Sequence, residues 1–274
     1  RDPEMSRGLG DVYKRQDYCI IEAGMGGRLD ATTALDYKAC LITNVGLDHT
    51  EYLGDTFEQI AYEKSGVFKP NVPALTTEDK PECQKVMELV ADYMKTPLCF
   101  IDCQETDVLR WNGMTFHLNP PLYQAKNLSL ALETLNVLGI WLEENEIQQV
   151  IDHFKWAGRY MVLRKDPLVL LDGAHNVHGI TALTQSLKDF TGKIYFSVLK
   201  EKDAPHMIEL LQSISKDITL VEISSARLYP LEKLGYPIIT VDELISRLLD
   251  TKEDSLLCGS LYYVGEVLEK WGNV

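Results

Sequence analysis

From Tyr18 onward, short apolar runs alternate with stretches whose apolar residues recur every three or four positions. A continuous apolar run of four to eight residues suits a strand buried on both faces, and the longer periodic stretches suit amphipathic helices. In the first half this predicts strands at 17–22, 39–44, 72–76 and 97–101, with helices near 56–65 and 82–95. Residues 106–118 predict a hairpin turning on Asn112-Gly113, a pair that tolerates the left-handed backbone of a tight turn. Two further helices are predicted at about 125–138 and 143–154. A second series follows, with strands at 160–164, 168–172, 193–198, 218–223, 237–240 and 255–259, and helices near 177–189, 204–215, 242–250 and 261–271. Strand and helix alternating in this way predict βαβ units around a parallel sheet, an α/β fold throughout. Gly192, Pro205, Pro237 and Gly259 mark joints of the second series. The change of series places a boundary at 155–160, dividing residues 17–157 from 158–274.

The first sixteen residues, RDPEMSRGLGDVYKRQ, do not fit this pattern. They are charged, contain glycine and proline, and lack periodicity. The run Asp11–Gln16 looks like translated adapter read-through, so residues 1–16 are set aside as a non-native scar. Elsewhere, no apolar run approaches the length of a membrane span and nothing resembles a signal peptide, so a cytoplasmic protein is expected. The six cysteines form no C-x-x-C pair and read as buried, reduced thiols. With 27 basic and 41 acidic residues the net charge is -14, and no basic stripe exists to meet a nucleic acid. An anionic substrate is not excluded, but a local device must attract it: a helix N-terminus, a metal ion or a few placed arginines.

Five stretches carry candidate chemistry. In EAGMGGRLDAT (22–32), the glycine spacing fits neither a dinucleotide fingerprint nor a Gly-Lys-Ser/Thr phosphate loop, so a tight turn and a ligand loop stand equal. Glu22, at the predicted C-terminal end of a buried strand, favours the ligand loop, because a carboxylate there needs a partner or a metal. Thr43–Thr50 sets Asp48 beside His49 at a second strand end, and His49 is either structural or a metal ligand. Glu63-Lys64 closes a predicted helix and reads as a charge pair near its end. VLLDGAHN (169–176) ends a strand in Asp172 and projects His175 from a strand-to-helix turn, with Arg159 upstream as a fixed cation for phosphate. In Cys258-Gly-Ser-Leu-Tyr262, Ser260 either caps the following helix or contacts a carboxylate ligand.

Together with LDHT and LGDT (47–50, 53–56), IAYEKSGVFKP (60–70), YQAKN (123–127), AGRY (157–160), DGAHN (172–176) and CGSL (258–261), the stretch EAGMGGRLDAT resembles the folylpolyglutamate synthase / dihydrofolate synthase family. This is a branch of the Mur ligase superfamily, and order and spacing match over residues 17–274. The resemblance implies part of a Mur-ligase central ATP-binding domain followed by a Rossmann-like C-terminal domain. It implies ATP-dependent addition of L-glutamate to a pteroate or folate carboxylate. That carboxylate attacks the γ-phosphate to give an acyl phosphate, and the glutamate amine then displaces phosphate. By motif, Glu22 and His49 would bind two magnesium ions, and Lys64 would be carbamylated into an oxygen ligand. Arg159 and Asp172 would hold ATP, His175 would lie between nucleotide and glutamate, and Ser260 would lie near glutamate. Lys64, Asp172 and His175 are accordingly the catalytic candidates, and a monomer is implied. The chain departs from the family in lacking the Gly-Lys-Ser/Thr loop. The expectation is therefore a truncated gene fragment, inactive as written, with exposed sheet edges. Another Mur-type amino-acid ligase and a non-catalytic nucleotide-binding remnant stay open, as does first-glutamate against chain-extending activity.

Overall fold

The computed structural model describes residues 17–103, 106–119 and 121–272, so the expected scar at 1–16 lies outside it. In the N-terminal half, β1 (Cys40–Ile42), β2 (Ala74–Thr76) and β3 (Leu98–Phe100) form a parallel sheet in that order, with Cys40 beside Ala74 and Ala74 beside Leu98. The short α1 (Thr50–Leu53) leads to α2 (Phe57–Ser65), and α3 (Pro81–Met94) joins β2 to β3. Thr56 starts α2 with a capping box: its hydroxyl accepts from Gln59 N at 3.3 Å, and the Gln59 side chain accepts from Thr56 N at 3.2 Å. Ile60 and Ala61 of α2, Cys83 and Met87 of α3, and Cys40 and Ile42 of β1 form one apolar cluster.

The strand expected at 17–22 is not formed. An apolar run becomes a strand only where another strand's peptide groups lie alongside it. No described strand does so here, and Ile20 is 95% exposed.

The hairpin forms as expected. β4 (Val108–Trp111) and β5 (Met114–His117) pair antiparallel through Asn112 (φ 48°) and Gly113 (φ 80°), the doubly left-handed turn that matches strand twist. The next two helices, α4 (Gln124–Val137) and α5 (Glu144–His153), lie within a residue of their expected bounds. Along β5, α5 supplies side chains where a strand would supply backbone. Glu144 Oε1 accepts from Thr115 N at 2.8 Å, Gln148 Oε1 accepts from His117 N at 3.0 Å, and Gln148 Nε2 donates to His117 O at 3.0 Å.

The C-terminal half is built on six strands: β6 (Met161–Lys165), β7 (Leu168–Leu171), β8 (Lys193–Phe196), β9 (Ile218–Glu222), β10 (Ile238–Thr240) and β11 (Ser255–Cys258). Their order is β10-β9-β8-β11-β7-β6, parallel except for β6, which runs antiparallel to β7 at the edge. Helices α6 (Val177–Ser186) and α7 (Ala204–Leu211) cover one face, α8 (Val241–Asp250) and α9 (Leu261–Trp271) the other. Successive strand residues point to opposite faces. Hence Leu170, Ile194, Phe196 and Leu256 pack under α6 and α7, while Val169, Leu171, Tyr195 and Leu257 pack under α8 and α9. The unbroken apolar runs that predicted these strands are the signature of a sheet covered on both sides. Helix α6 stops three residues short of its expected end because Leu187 leaves the helical region at φ -123°, ψ 34°.

Candidate functional site

The glycine loop packs against the end of α2. A Cβ on Gly27 would stand 2.8 Å from Lys64 O and 2.6 Å from a Val67 methyl, and one on Gly66 would stand 2.2 Å from Arg28 Cα. The glycines therefore let two backbones touch. Arg28 fastens the contact: its N–H donates to Glu63 O at 2.8 Å, and its guanidinium donates to Glu63 Oε1 at 2.8 and 3.0 Å. Asp30 folds the loop back on itself, accepting from Gly24 N at 2.8 Å and from Thr32 N and Oγ1 at 2.9 and 2.6 Å. Those Thr32 hydrogen bonds, with further ones from Met25 and Gly24, hold the Asp30 carboxyl down at about 2.

This packing sets Lys64 on the last turn of α2, half-buried. Burial pushes its ammonium pKa down, while the carboxylates of Asp48 and Glu22 pull it back up. Three separate segments thus converge on one lysine. Glu22 itself is exposed and lies outside any strand, so the expected argument from a buried strand end does not hold, although its carboxylate still raises the Lys64 pKa. The Glu63-Lys64 pair, expected as one charged unit, divides: Glu63 serves Arg28, and Lys64 faces Asp48 and Glu22. His49 is exposed and left-handed (φ 51°), giving its backbone N–H to Asp48 Oδ1 at 2.9 Å. Among the described residues no group of three or more His, Cys, Asp and Glu side chains is placed to hold a metal ion.

In the C-terminal half, Asp172 directly follows β7, at the predicted strand end, and is 3% exposed. Its oxygens accept from Tyr160 N and Ala174 N, each at 2.7 Å. Burial raises its pKa, against those two backbone donors and the positive fields of Arg159 and His175. The half-buried Tyr123 hydroxyl has its pKa raised by burial and, after that, by the Asp172 carboxylate. Gly173 makes room for Arg159, since a Cβ there would stand 2.5 Å from Nη1. His175 donates from Nδ1 to Gly173 O at 2.9 Å, which turns Nε2 towards Asp48 Oδ2 at 3.9 Å. Ser260 is fully buried and caps α9, its hydroxyl accepting from Tyr262 N at 3.2 Å.

Asp48 joins the two sets. It accepts from Lys202 Nζ at 2.5 Å and from Asn176 Nδ2 at 2.7 Å. Burial alone would raise its pKa; the Lys202 and Asn176 hydrogen bonds outweigh that and hold it at about 2. Asn176, Lys202 and Tyr123 did not stand out in the sequence as site residues, and Asp48 did so only as a carboxylate beside His49. Asp48, Asn176 and Tyr123 lay inside the quoted motifs, whereas Lys202 sits in a charged Lys-Glu-Lys-Asp run that carries no signal. A cavity of about 500 Å³ opens beyond β2 and β3, lined by Thr77, Glu78, Asp79, Asp102 and Lys126. None of the predicted site residues lines it.

Two α/β units built on parallel sheets meet here, through Asp48 and through Asn44 with His178, with polar side chains at strand ends, where open α/β sheets bind ligands. The Mur ligase middle domain model matches residues 4–118. The dihydrofolate synthase/folylpolyglutamate synthase of Buchnera aphidicola subsp. Acyrthosiphon pisum is 33% identical over 285 residues, covering 94% of this chain and 68% of that protein. The structure of Escherichia coli FolC in complex with ADP superposes with a TM-score of 0.80 at 29% identity, covering 92% of this chain and 66% of that one. The Yersinia pestis bifunctional folylpolyglutamate synthase/dihydrofolate synthase, complexed with AMPPNP and Mn ion, gives 0.79 at 25% identity over 92% of this chain and 65% of that one. The chain belongs to the dihydrofolate synthase/folylpolyglutamate synthase family. It spans between half and about two-thirds of the length of the first bacterial relatives it matches.

Proposed function

We propose that this chain carries the metal-side and C-terminal parts of an ATP-dependent ligase that joins L-glutamate to a pteroate or folate carboxylate through an acyl phosphate. Residues 17–157 act as the middle-domain part and 158–274 as the C-terminal part. The observation that carries the reading is the convergence of Glu22, Asp48 and Lys64 opposite Asp172, His175 and Arg159, in a chain of this family. Each half supplies what phosphoryl transfer needs. Carboxylates suit a magnesium ion, and a fixed guanidinium suits the charge gathering on the transferred group.

The donor set fits a divalent metal once Lys64 is modified. A lysine with a depressed pKa exposes a neutral amine to carbon dioxide, and its carbamate would add oxygen ligands beside Glu22, with His49 the further candidate. A magnesium ion held there would neutralise phosphate charge. Arg159 and Asp172 hold the nucleotide, His175 lies between it and the incoming glutamate, and Ser260 shapes the glutamate side from the start of α9.

Two measurements on this chain test the reading. Calorimetric titration with Mg·ADP should show saturable binding that Arg159→Ala weakens about tenfold, the scale of one lost charge-assisted contact. Carbon-13 NMR in labelled bicarbonate should show a carbamate resonance that Lys64→Arg abolishes. Absence of both signals in the folded wild-type chain would sink it.

A further inference from the structure

We propose that Asp48 is a positioning residue, a clasp that holds the Asp172–Asn176 loop and Lys202 of the C-terminal half at a fixed distance from Lys64. The segment carrying Asp48 is itself anchored. The Glu78 carboxylate, 2% exposed, accepts from Val45 N, and Lys80 Nζ bridges Val45 O at 3.0 Å and Glu78 Oε1 at 3.1 Å. From that anchored loop Asp48 uses both oxygens. Oδ1 takes Lys202 Nζ and the N–H of His49, and Oδ2 takes Asn176 Nδ2.

Asn176 transmits the contact into the second half. Its amide nitrogen faces Asp48, while its oxygen accepts from Gly179 N at 2.8 Å and so caps α6. One amide thus ties the start of α6 to the other half of the molecule. Two residues further on, His178 Nε2 meets Asn44 Nδ2 at 3.1 Å, and its ring lies 3.3 Å from where a Cβ on Gly46 would stand. A side chain at Gly46 would crowd this approach. The Lys202 side chain is only 10% exposed, so removing Asp48 would strip a largely buried cation of a carboxylate, which is costly. That the clasp affects ligand binding rests on the nucleotide reading above; the clasp itself does not.

Hydrogen exchange on Asp48→Ala and Lys202→Met tests it. Asp48→Ala should speed exchange of the Gly179 and Ile180 amides about tenfold, with the α3 and β8 amides unchanged. Lys202→Met should speed exchange across the interface, in residues 45–49, and the double variant should exceed neither single one. Mg·ADP binding should weaken about tenfold in each. Unchanged exchange across the interface in both variants overturns the clasp. If Asp48→Ala exchanges faster everywhere it has lost its fold, and Lys202→Met, at a position outside both apolar clusters of its half, then decides. If the wild type binds Mg·ADP and the variants bind it equally, Asp48 is not a positioning residue. If the wild type binds none, the functional reading fails while exchange still rules on the clasp.

Discussion

The two halves bury their sheets differently. Each strand of the N-terminal sheet is three residues long, and the two strands flanking β2 are exposed at their middle position: in β1, Leu41 is 43% exposed between the buried Cys40 and Ile42, whereas β2 is buried throughout. The C-terminal sheet has six strands, and the central β7, β8 and β11 carry apolar side chains into clusters on both faces. Burial on two faces multiplies contacts per residue, so a truncation there leaves a cavity that neighbours cannot close. The lesson is a division of labour. The C-terminal half is a rigid platform, and the N-terminal half holds Lys64 by backbone contact between glycines and by a few ion pairs.

The largest break in that comparison is Leu170→Ala, which should cost about 2–5 kcal/mol, against under about 0.5 kcal/mol for Leu41→Ala; urea titration of both variants checks it. Next, two glycines should respond with opposite signs. Gly66→Ala drives a methyl into Arg28 and should destabilise by about 1–3 kcal/mol. Gly265→Ala, inside α9 with nothing within 4 Å of the added carbon, should stabilise by about 0.5–1 kcal/mol. If both shift melting in the same direction, the backbone contact is not what fixes the glycine loop. Removing the α2 cap with Thr56→Ala should cost about 1 kcal/mol, read as faster exchange in the first turn of α2.

The smallest effect is electrostatic and confined to the glycine loop. Asp30 titrates at about 2 in the fold, down from its ordinary 3.8. A carboxyl lowered by folding stabilises above its unfolded value, and that contribution is lost as pH falls from about 4 towards 2. Asp30→Asn should flatten the acid limb of the stability curve, and a carboxyl midpoint near the ordinary value in a carbon-13 titration would contradict the hydrogen bonds described.

Much of this was legible in the chain. The hairpin at Asn112-Gly113, the capped α2 and the both-faces-apolar strands follow from local rules, because turn chemistry, capping and periodicity act over a few residues. The segment 17–22 was not legible, since strand formation depends on a neighbour the pattern cannot supply. The site was half legible. Asp172 and Lys64 stand at the ends of the elements the pattern predicted, whereas Glu22, expected at a strand end, lies outside any described strand. Attention fell on His49, but its neighbour Asp48 makes the contacts between halves, with partners 128 and 154 residues away. No local spacing encodes such a contact. Glu63 shows the same effect at shorter range: its partner Arg28 is 35 residues off.

The side chains that α5 lays along β5 have one more consequence. A primary amide offers an N–H and a C=O on one edge, as a peptide unit does, so Gln148 answers His117 as another strand would. An extended peptide seeking to add itself to that edge finds its hydrogen bonds already taken. Exchanging Gln148 for a residue without an amide would turn a closed rim into a template for self-assembly, with no loss from the core.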